Sequence, residues 1–201
     1  VGCQGLKYRA RRDLHPAPAQ QRVPHAVVFL VGTGRAAVAF GAVAAAETRI
    51  VAVDTVDGLT RAVEAAQAGD EIVLAPGTYV LDRLNLKAAG TAENPITLKA
   101  SRRGQAVIHA TARETFVVYG AHWIVDGLDI LGICEPQELC DHAFHIVGQA
   151  DNFILRDNRI RDFNAAIKGN ALELETAGAG GQKGKEYFYP DNVLIAGNFF
   201  Y

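Results

Sequence analysis

No methionine occurs among the 201 residues, and charged residues make up only 21% of them. Because the chain starts at Val1, the sequence is interpreted as a translated fragment or an over-extended reading frame. Its two apolar runs, residues 26–34 and 36–46, fall short of the roughly 18–20 residues that span a bilayer, so no membrane span is predicted. With 49% hydrophobic residues, the composition excludes a disordered tail and a charge-dominated coiled coil.

Positive charge is scarce after the first 46 residues. Residues 1–46 carry six basic groups and one acid, a net charge of +5, whereas residues 47–201 carry 14 basic and 21 acidic residues, a net charge of −7. General nucleic-acid binding depends on neutralising phosphates. The acidic domain is therefore not expected to bind nucleic acid.

Residues 1–46 show the features of a secretory signal peptide: a basic flank, short apolar stretches and an A-x-A site at residues 44–46. A spurious upstream extension ahead of a true start near Val23 or Val31 is the alternative, and both can hold together. The domain organisation is thus a signal peptide or extension over 1–46 and one domain over 47–201. We predict a secreted or periplasmic protein.

Two cysteines support that compartment. Cys134 and Cys140 are separated by five residues, a loop short enough for a disulfide in an oxidising space. A zinc site is the alternative because His142 and His145 lie close by. The Cys-x5-Cys spacing is poor for zinc and no second cysteine pair exists, so we favour the disulfide.

One helix is predicted at the start of the domain, and short strands follow it. Residues 57–68 place apolar side chains at helical spacing, with Asp57 as the N-cap and Gly69 as the C-terminal stop. No later segment is predicted to be helical, which excludes a doubly wound α/β fold. The predicted strands fall within residues 72–79, 96–100, 106–110, 116–120, 123–131, 144–148, 152–160, 166–168 and 192–200.

These strands form two repeating series. Two interleaved series with loops of variable length are typical of a parallel β-solenoid, in which each coil adds one strand to each sheet. The offsets are 30 and 40 residues in the first series and 28 and 22 in the second. The first series comprises residues 124–130, 154–160 and 194–200, and the second comprises residues 116–120, 144–148 and 166–170.

Asparagines recur at matching positions of the first series. Asn152 and Asn192 precede a strand, and Asn158 and Asn198 lie at a bend. Stacked amides satisfy one another and the bend backbone, so we predict a structural asparagine ladder. An antiparallel sandwich is the alternative, and the missing Asn-Gly hairpin signals disfavour it.

Three segments carry a resemblance to a known group: residues 68–81 (AGDEIVLAPGTYVL), 90–100 (GTAENPITLKA) and 122–132 (HWIVDGLDILG). They resemble the N-terminal region of secreted polysaccharide lyases of the chondroitinase B and alginate lyase type. The resemblance implies an all-β, right-handed parallel β-helix with a short N-terminal capping helix. It also implies that this chain holds the first coils of a longer solenoid.

In such lyases the catalytic lysine and arginine and the acidic calcium ligands lie on central coils. The resemblance therefore places them beyond Tyr201, and the catalytic residues of this chain are unknown. Asp126, Asp129 and Asp151 show no metal-loop spacing, and no cofactor is evident. Calcium stays open for the full-length parent.

Cleaving a uronate polymer by β-elimination requires a group that neutralises the carboxylate, a base for the C5 proton and stabilisation of the leaving oxygen. Polar side chains that could supply such groups cluster late in the chain. They are Asp141, His142, His145, Asp162, Asn164, Lys168 and Asn170.

If Phe144 and Ile167 point inward, His145 and Lys168 point outward from the same sheet. Strand spacing then places the two backbones diagonally, about 8 Å apart. Together with Tyr119 and Asn170 they form the predicted binding site for an anionic polysaccharide. Ordinary solvated surface is the alternative.

The glycine-rich residues 176–185 lack the arrangement of a phosphate-binding loop. We interpret them as a flexible loop that leaves the coil and borders the substrate groove. Two functions therefore remain open: an exported lyase of anionic glycans, or a non-catalytic solenoid that binds glycan or has a structural role at a surface.

Overall fold

The structure is a computed structural model that describes residues 48–177 and 183–201. The predicted signal peptide or extension over 1–46 lies outside the described residues. No helix in the described ranges combines the length and the apolarity that crossing a membrane requires.

Short strands dominate the described part of the chain. One α-helix, α1 (Val56–Glu64), follows the first strand, and a 3-10 turn covers Gln137–Leu139. The strands are β1 (Ile50–Val53), β2 (Glu71–Leu74), β3 (Gly77–Leu81), β4 (Leu84–Leu86), β5 (Ile96–Ala100), β6 (Ala106–Ala110), β7 (Glu114–Val118), β8 (Trp123–Asp126), β9 (Asp129–Gly132), β10 (His142–Val147), β11 (Ile154–Arg156), β12 (Arg159–Arg161), β13 (Ile167–Asn170), β14 (Leu172–Ala177), β15 (Lys183–Phe188), β16 (Leu194–Ala196) and β17 (Phe199–Phe200).

The strands form three parallel sheets, because each coil contributes one strand to each sheet in turn. The strand order is β1-β2-β5-β8-β11-β16 in sheet A, β3-β6-β9-β12-β17 in sheet B and β4-β7-β10-β13 in sheet C. Neighbours within a sheet are thus about one coil apart in sequence. This arrangement confirms the predicted parallel β-helix and excludes the antiparallel sandwich.

The register confirms one predicted series and corrects the other. Ile154 pairs with Ile124 and with Leu194, which gives the predicted offsets of 30 and 40 residues. In sheet C, Phe144 pairs with Phe116 as predicted, but its other partner is Ile167, one residue later than predicted. Ala166 and Ile167 are both apolar, so hydrophobicity alone did not fix this register.

The core lies between the three sheets, where equivalent side chains stack from coil to coil. Ile72, Leu98, Val125 and Leu155 are successive register partners in sheet A and are all fully buried. In sheet C the rings of Phe116 and Phe144 stack with their centroids 4.9 Å apart. Such stacking buries apolar area without requiring a second layer of helices.

Helix α1 covers the first coil, but it is shorter than the predicted 57–68. Its N-cap is Thr55, whose Oγ1 accepts a hydrogen bond from the N–H of Gly58 at 3.1 Å. Asp57 lies in the first turn, so its prediction as the N-cap was wrong. The helix ends at Glu64 with Ala65 as its C-cap. Gly69, the predicted stop, has a φ of +90° and lies in the turn that leads to β2.

We call the two residues between a sheet A strand and the following sheet B strand the A–B bend. In three successive coils the first residue of this bend has a left-handed φ: +73° at Gly127, +59° at Asp157 and +63° at Gly197. Glycine, asparagine and aspartate adopt this conformation at a lower cost than most residues. The bend is therefore specified locally by its sequence.

Amide side chains connect these bends. Asn158 Oδ1 accepts from the N–H of Leu128 at 2.9 Å, and Asn158 Nδ2 donates to Asn198 Oδ1 at 3.0 Å and to two backbone carbonyls. Asn198 Nδ2 donates to the carbonyl of Leu155 at 2.7 Å. Asn158 and Asn198 thus stack as a ladder whose members hold the bend of the preceding coil.

Asn152 and Asn192 occupy a different column, which precedes sheet A. Their φ values are +56° and +57°, and His122 holds the same position one coil earlier with a φ of +57°. Asn152 Nδ2 lies 3.4 Å from His122 Nε2. The three residues of this column, His122, Asn152 and Asn192, share a left-handed backbone conformation and not a residue type.

The connections from sheet C to the next sheet A strand, here called the C–A connections, differ between coils. The last of them contains the antiparallel hairpin β14–β15, in which Leu172 pairs with Phe188. The prediction of a loop over 176–185 was therefore wrong at residues 176–177 and 183–185, which belong to the two strands. Residues 178–182 lie outside the described residues.

Candidate functional site

His145 and Lys168 lie side by side on sheet C. They are direct register partners on β10 and β13, so neighbouring-strand spacing places their backbones about 4.8 Å apart. The predicted diagonal placement at about 8 Å was wrong, because it assumed an offset along the strands and the two residues lie directly opposite each other. The pair is thus closer than the sequence suggested.

Glu114 of β7 approaches both members of this pair. Its Oε1 lies 2.9 Å from His145 Nδ1 and 3.5 Å from Lys168 Nζ. The histidine contact has the distance of an ion pair without the alignment of a hydrogen bond, and both ring nitrogens of His145 are buried. His145 therefore faces a carboxylate rather than open solvent.

The pKa of Glu114 reflects this environment. Burial by itself raises the pKa of its carboxyl, but the close approach of His145 and Lys168 outweighs that effect. The net result is a pKa below the ordinary value, which keeps Glu114 ionised. Its charge offsets the positive charges around it.

Two cations next to Glu114 retain access to solvent. The side chain of Lys168 is 37% exposed, and Arg83, whose Nη2 lies 3.6 Å from Glu114 Oε2, is also exposed. We call Glu114, His145, Lys168 and Arg83 the sheet C charge cluster. It can offer Lys168 and Arg83 to an anion, whereas His145 can reach a ligand only if Glu114 moves aside.

Tyr119 and Asn170 lie at the other end of the sheet C strands. Asn170 ends β13 as an exposed residue opposite Val147. Tyr119 directly follows β7 and lines a groove of about 660 Å³. The structure thus brings His145 and Lys168 together but places Tyr119 with a separate set of residues.

We call this depression the hairpin groove. One wall is formed by C–A connections, including Lys87, Tyr119, Gln149 and Asp151, and the other by Glu186–Tyr189 and Asp191. Tyr187 shares hydrogen bonding with Glu173, which raises its pKa above the ordinary phenol value and lowers that of Glu173. The groove combines aromatic and polar side chains.

Both legs of the hairpin rest on the coil. At one leg, Asp151 Oδ1 accepts from the N–H of Asp191 at 2.9 Å, and the carbonyl of Asp191 accepts from the N–H of Asn152 at 2.8 Å. At the other leg, Leu172 packs so closely on Gly148 that a Cβ there would lie 2.6 Å from the Leu172 Cβ. The groove walls are therefore held in place before any ligand arrives.

The remaining candidates surround the connection between β9 and β10. Cys134 and Cys140 are joined by a disulfide, so neither sulfur is left as a metal ligand. Asp141 contacts Arg113 at 2.9 Å and Asn164 at 3.0 Å. His142 Nδ1 lies 2.8 Å from the carbonyl of Ala165, and the backbone carbonyl of Asp162 accepts a hydrogen bond from Gln137 Nε2 at 2.7 Å.

The acidic residues considered for calcium have other partners. Asp126 contacts Arg156 at 2.7 Å, Asp129 contacts Arg161 at 3.3 Å, and Asp151 supports the hairpin. No group of three or more His, Cys, Asp or Glu side chains in the described ranges is arranged to hold a metal ion.

Sequence reasoning missed Glu114 and the groove. Glu114 precedes the apolar run of β7 and lies 31 and 54 residues before His145 and Lys168, so only the coil register relates them. The groove tyrosines at 187 and 189 follow a glycine-rich stretch that suggested a loop. The adjacent aromatic residues Tyr187 and Phe188 after that stretch were the available signal, because aromatic residues are enriched in strands.

The family model described as Chondroitinase B matches residues 53–169, more than half of the chain. A search of curated proteins finds no match.

Solved structures share the fold. A crystal structure of an alginate lyase from Paenibacillus sp. str. FPU-7 is similar with a TM-score of 0.52 and 19% identity, over 77% of this chain and 58% of that one. A rhamnogalacturonan lyase is similar with a TM-score of 0.53 and 16% identity, over 76% of this chain and 51% of that one. The chain thus spans just over half the length of these two structures.

Proposed function

The chain belongs to the chondroitinase B family. We propose that it is part of an exported polysaccharide lyase that cleaves anionic, uronate-containing glycans by β-elimination. The family match over residues 53–169 is the observation that carries the proposal. The solenoid adds a long, regular surface along which a polymer can lie.

Within this proposal, the sheet C charge cluster contacts the substrate. Lys168 and Arg83 are exposed cations beside a single carboxylate, so a glycan carboxylate can be attracted there. Asn170 at the end of β13 adds an exposed amide on the same strand as Lys168. We assign these residues to binding, and we assign no residue to the removal of the C5 proton.

The decisive experiment measures elimination directly. The full-length protein is incubated with alginate, pectate and chondroitin sulfate, and unsaturated uronate is followed by its ultraviolet absorbance. We expect absorbance to rise with one of the three polymers. No rise with any of them contradicts the lyase proposal.

A second experiment tests the binding role of Lys168. Because a lost charge-assisted contact is worth about 1.5–3 kcal/mol, we expect Lys168→Ala to weaken glycan binding about tenfold or more. Lys99→Ala is the matched control, since Lys99 is 34% exposed and also contacts a glutamate, but lies on sheet A. Equal affinities for the two variants remove Lys168 from the site.

A non-catalytic solenoid that binds glycan or has a structural role is the second candidate. The position of Glu114 favours it, because its carboxylate already contacts Lys168 and covers the Nδ1 side of His145 with negative charge. On this alternative, the full-length protein binds glycan or assembles at a surface, but produces no unsaturated uronate.

A further inference from the structure

The hairpin groove differs in charge from the sheet C charge cluster. Three carboxylates line it, those of Asp151, Glu186 and Asp191, against one lysine, Lys87. Within the described part of the chain, no salt bridge compensates these three acids. The groove is therefore unfavourable for a glycan carboxylate, which would meet like charge at short range.

The other lining groups suit an uncharged sugar. Tyr119 on the coil wall and Tyr189 on the hairpin wall are exposed aromatic rings, whose faces can pack against the C–H groups of a pyranose. Gln149 and the carboxylates can bind hydroxyl groups, because an ionised carboxylate accepts hydrogen bonds and an amide both donates and accepts.

We propose that the hairpin groove is a binding site for neutral sugar residues, with Tyr119 and Tyr189 as its stacking groups. This inference deepens the proposed function and rests on it only for the claim that the ligand is a glycan. It implies that the favoured polysaccharide carries neutral residues, as side chains or within the backbone, in addition to uronates.

The groove is preorganised for such a ligand. The hydrogen bonds between Asp151, Asn152 and Asp191 fix one leg of the hairpin, and the contact of Leu172 with Gly148 fixes the other. Fixed walls lower the entropic cost of binding, and neutral sugars offer few strong contacts to offset that cost. A mobile loop would be a weaker site.

The test uses calorimetric titration of the full chain with defined hexasaccharides. The neutral probes are cellohexaose and mannohexaose, and the anionic probe is hexagalacturonate. We expect one neutral probe to bind and Tyr119→Ala and Tyr189→Ala each to weaken its binding about tenfold, the loss of roughly one aromatic contact. Tyr119→Phe should retain most of the affinity because the ring face is kept.

Tyr201→Ala is the matched control, because Tyr201 and Tyr189 are both 62% exposed and Tyr201 lies outside the groove. Unfolding curves recorded for each variant exclude loss of the fold as the cause of weaker binding. We expect Tyr201→Ala to bind the neutral probe as the unmodified chain does.

Three results would overturn the inference: no binding of either neutral probe, binding that is unchanged in Tyr119→Ala and Tyr189→Ala, or equal tyrosine-dependent binding of hexagalacturonate. None of them bears on the proposed β-elimination, which is measured by unsaturated uronate. Conversely, a protein without lyase activity that binds the neutral probe through Tyr119 and Tyr189 would support the groove and contradict the lyase.

Discussion

The A–B bend and the C–A connection both turn the chain at a corner of the same solenoid, but they differ in regularity. The bend has two residues in each of the last three coils, at 127–128, 157–158 and 197–198, and the side chains of Asn158 and Asn198 bind the neighbouring coils. The connections cover 119–122, 148–153 and 171–193, and the last includes a hairpin. The feature that recurs in all three connections is a left-handed residue shortly before the sheet A strand, at His122, Asn152 and Asn192.

This difference shows where the fold is specified and where function can vary. A bend that binds both adjacent coils cannot change length without breaking those hydrogen bonds. A connection that is tied to the coil mainly at its ends can accept an insertion, and the hairpin groove is formed by such an insertion. Binding residues on variable loops above a regular scaffold are the common pattern in proteins.

Asn158→Ala should produce the largest loss of stability. It removes four hydrogen bonds of a buried side chain, including the one that Asn158 Oδ1 accepts from the N–H of Leu128 in the preceding coil. We expect the free energy of unfolding to fall by about 3 kcal/mol, measured by urea denaturation. Asn170→Ala, an exposed asparagine, should change it by less than about 0.5 kcal/mol, and equal effects would refute the special role of the bend.

Gly148→Ala, in a C–A connection, should lower the free energy of unfolding by an intermediate amount. Gly148 has a φ of +62°, and an added Cβ would meet the side chain of Leu172. We expect a loss of about 2 kcal/mol in urea denaturation, from backbone strain and overpacking together. Gly169→Ala is the control, because a Cβ there meets nothing within 4 Å. If both alanines are tolerated equally, the hairpin does not rest on Gly148.

Glu114→Gln should have the smallest effect, and it should depend on pH. The folded pKa of Glu114 lies below the ordinary glutamate value of about 4.3. Its stabilising contribution is therefore fully present above that value and is lost as the pH falls through the lowered folded pKa.

Urea denaturation of Glu114→Gln at a series of pH values tests this dependence. We expect a deficit of about 1 kcal/mol or less near neutrality that disappears in acid. Glu64→Gln, an exposed glutamate on α1, controls for the change of charge. A deficit in Glu114→Gln that is the same at every pH would show that the ion contacts do not stabilise the fold.

The sequence predicted the coil repeats better than the candidate binding site, because the repeats recur along the chain and the site depends on contacts between coils. Offsets of 30 and 40 residues were readable because inward positions and bend residues recur in every coil. The register at Ile167 failed because two adjacent apolar residues fit either alignment. Glu114 could not be linked to Lys168 from sequence, since only the coil spacing brings residues 54 positions apart into contact.

The expected polysaccharide site was therefore only partly specified by residue type. Cations and aromatics were identified individually, at His145, Lys168 and Tyr119, but not their division between two places. That division depends on which end of a sheet C strand a residue occupies. Strand ends are the least certain feature of a sequence-based prediction.

The amide of Asn158 also makes the bend sensitive to chemical ageing. Its Nδ2 donates to the carbonyls of Val125 and Arg156 and to Asn198 Oδ1. Spontaneous deamidation would replace this nitrogen by a carboxylate oxygen of nearly the same shape, facing three other oxygens. The product would repel the three oxygens that the original nitrogen attracts, so one hydrolysed side chain would weaken the contacts that join the coils of β8, β11 and β16.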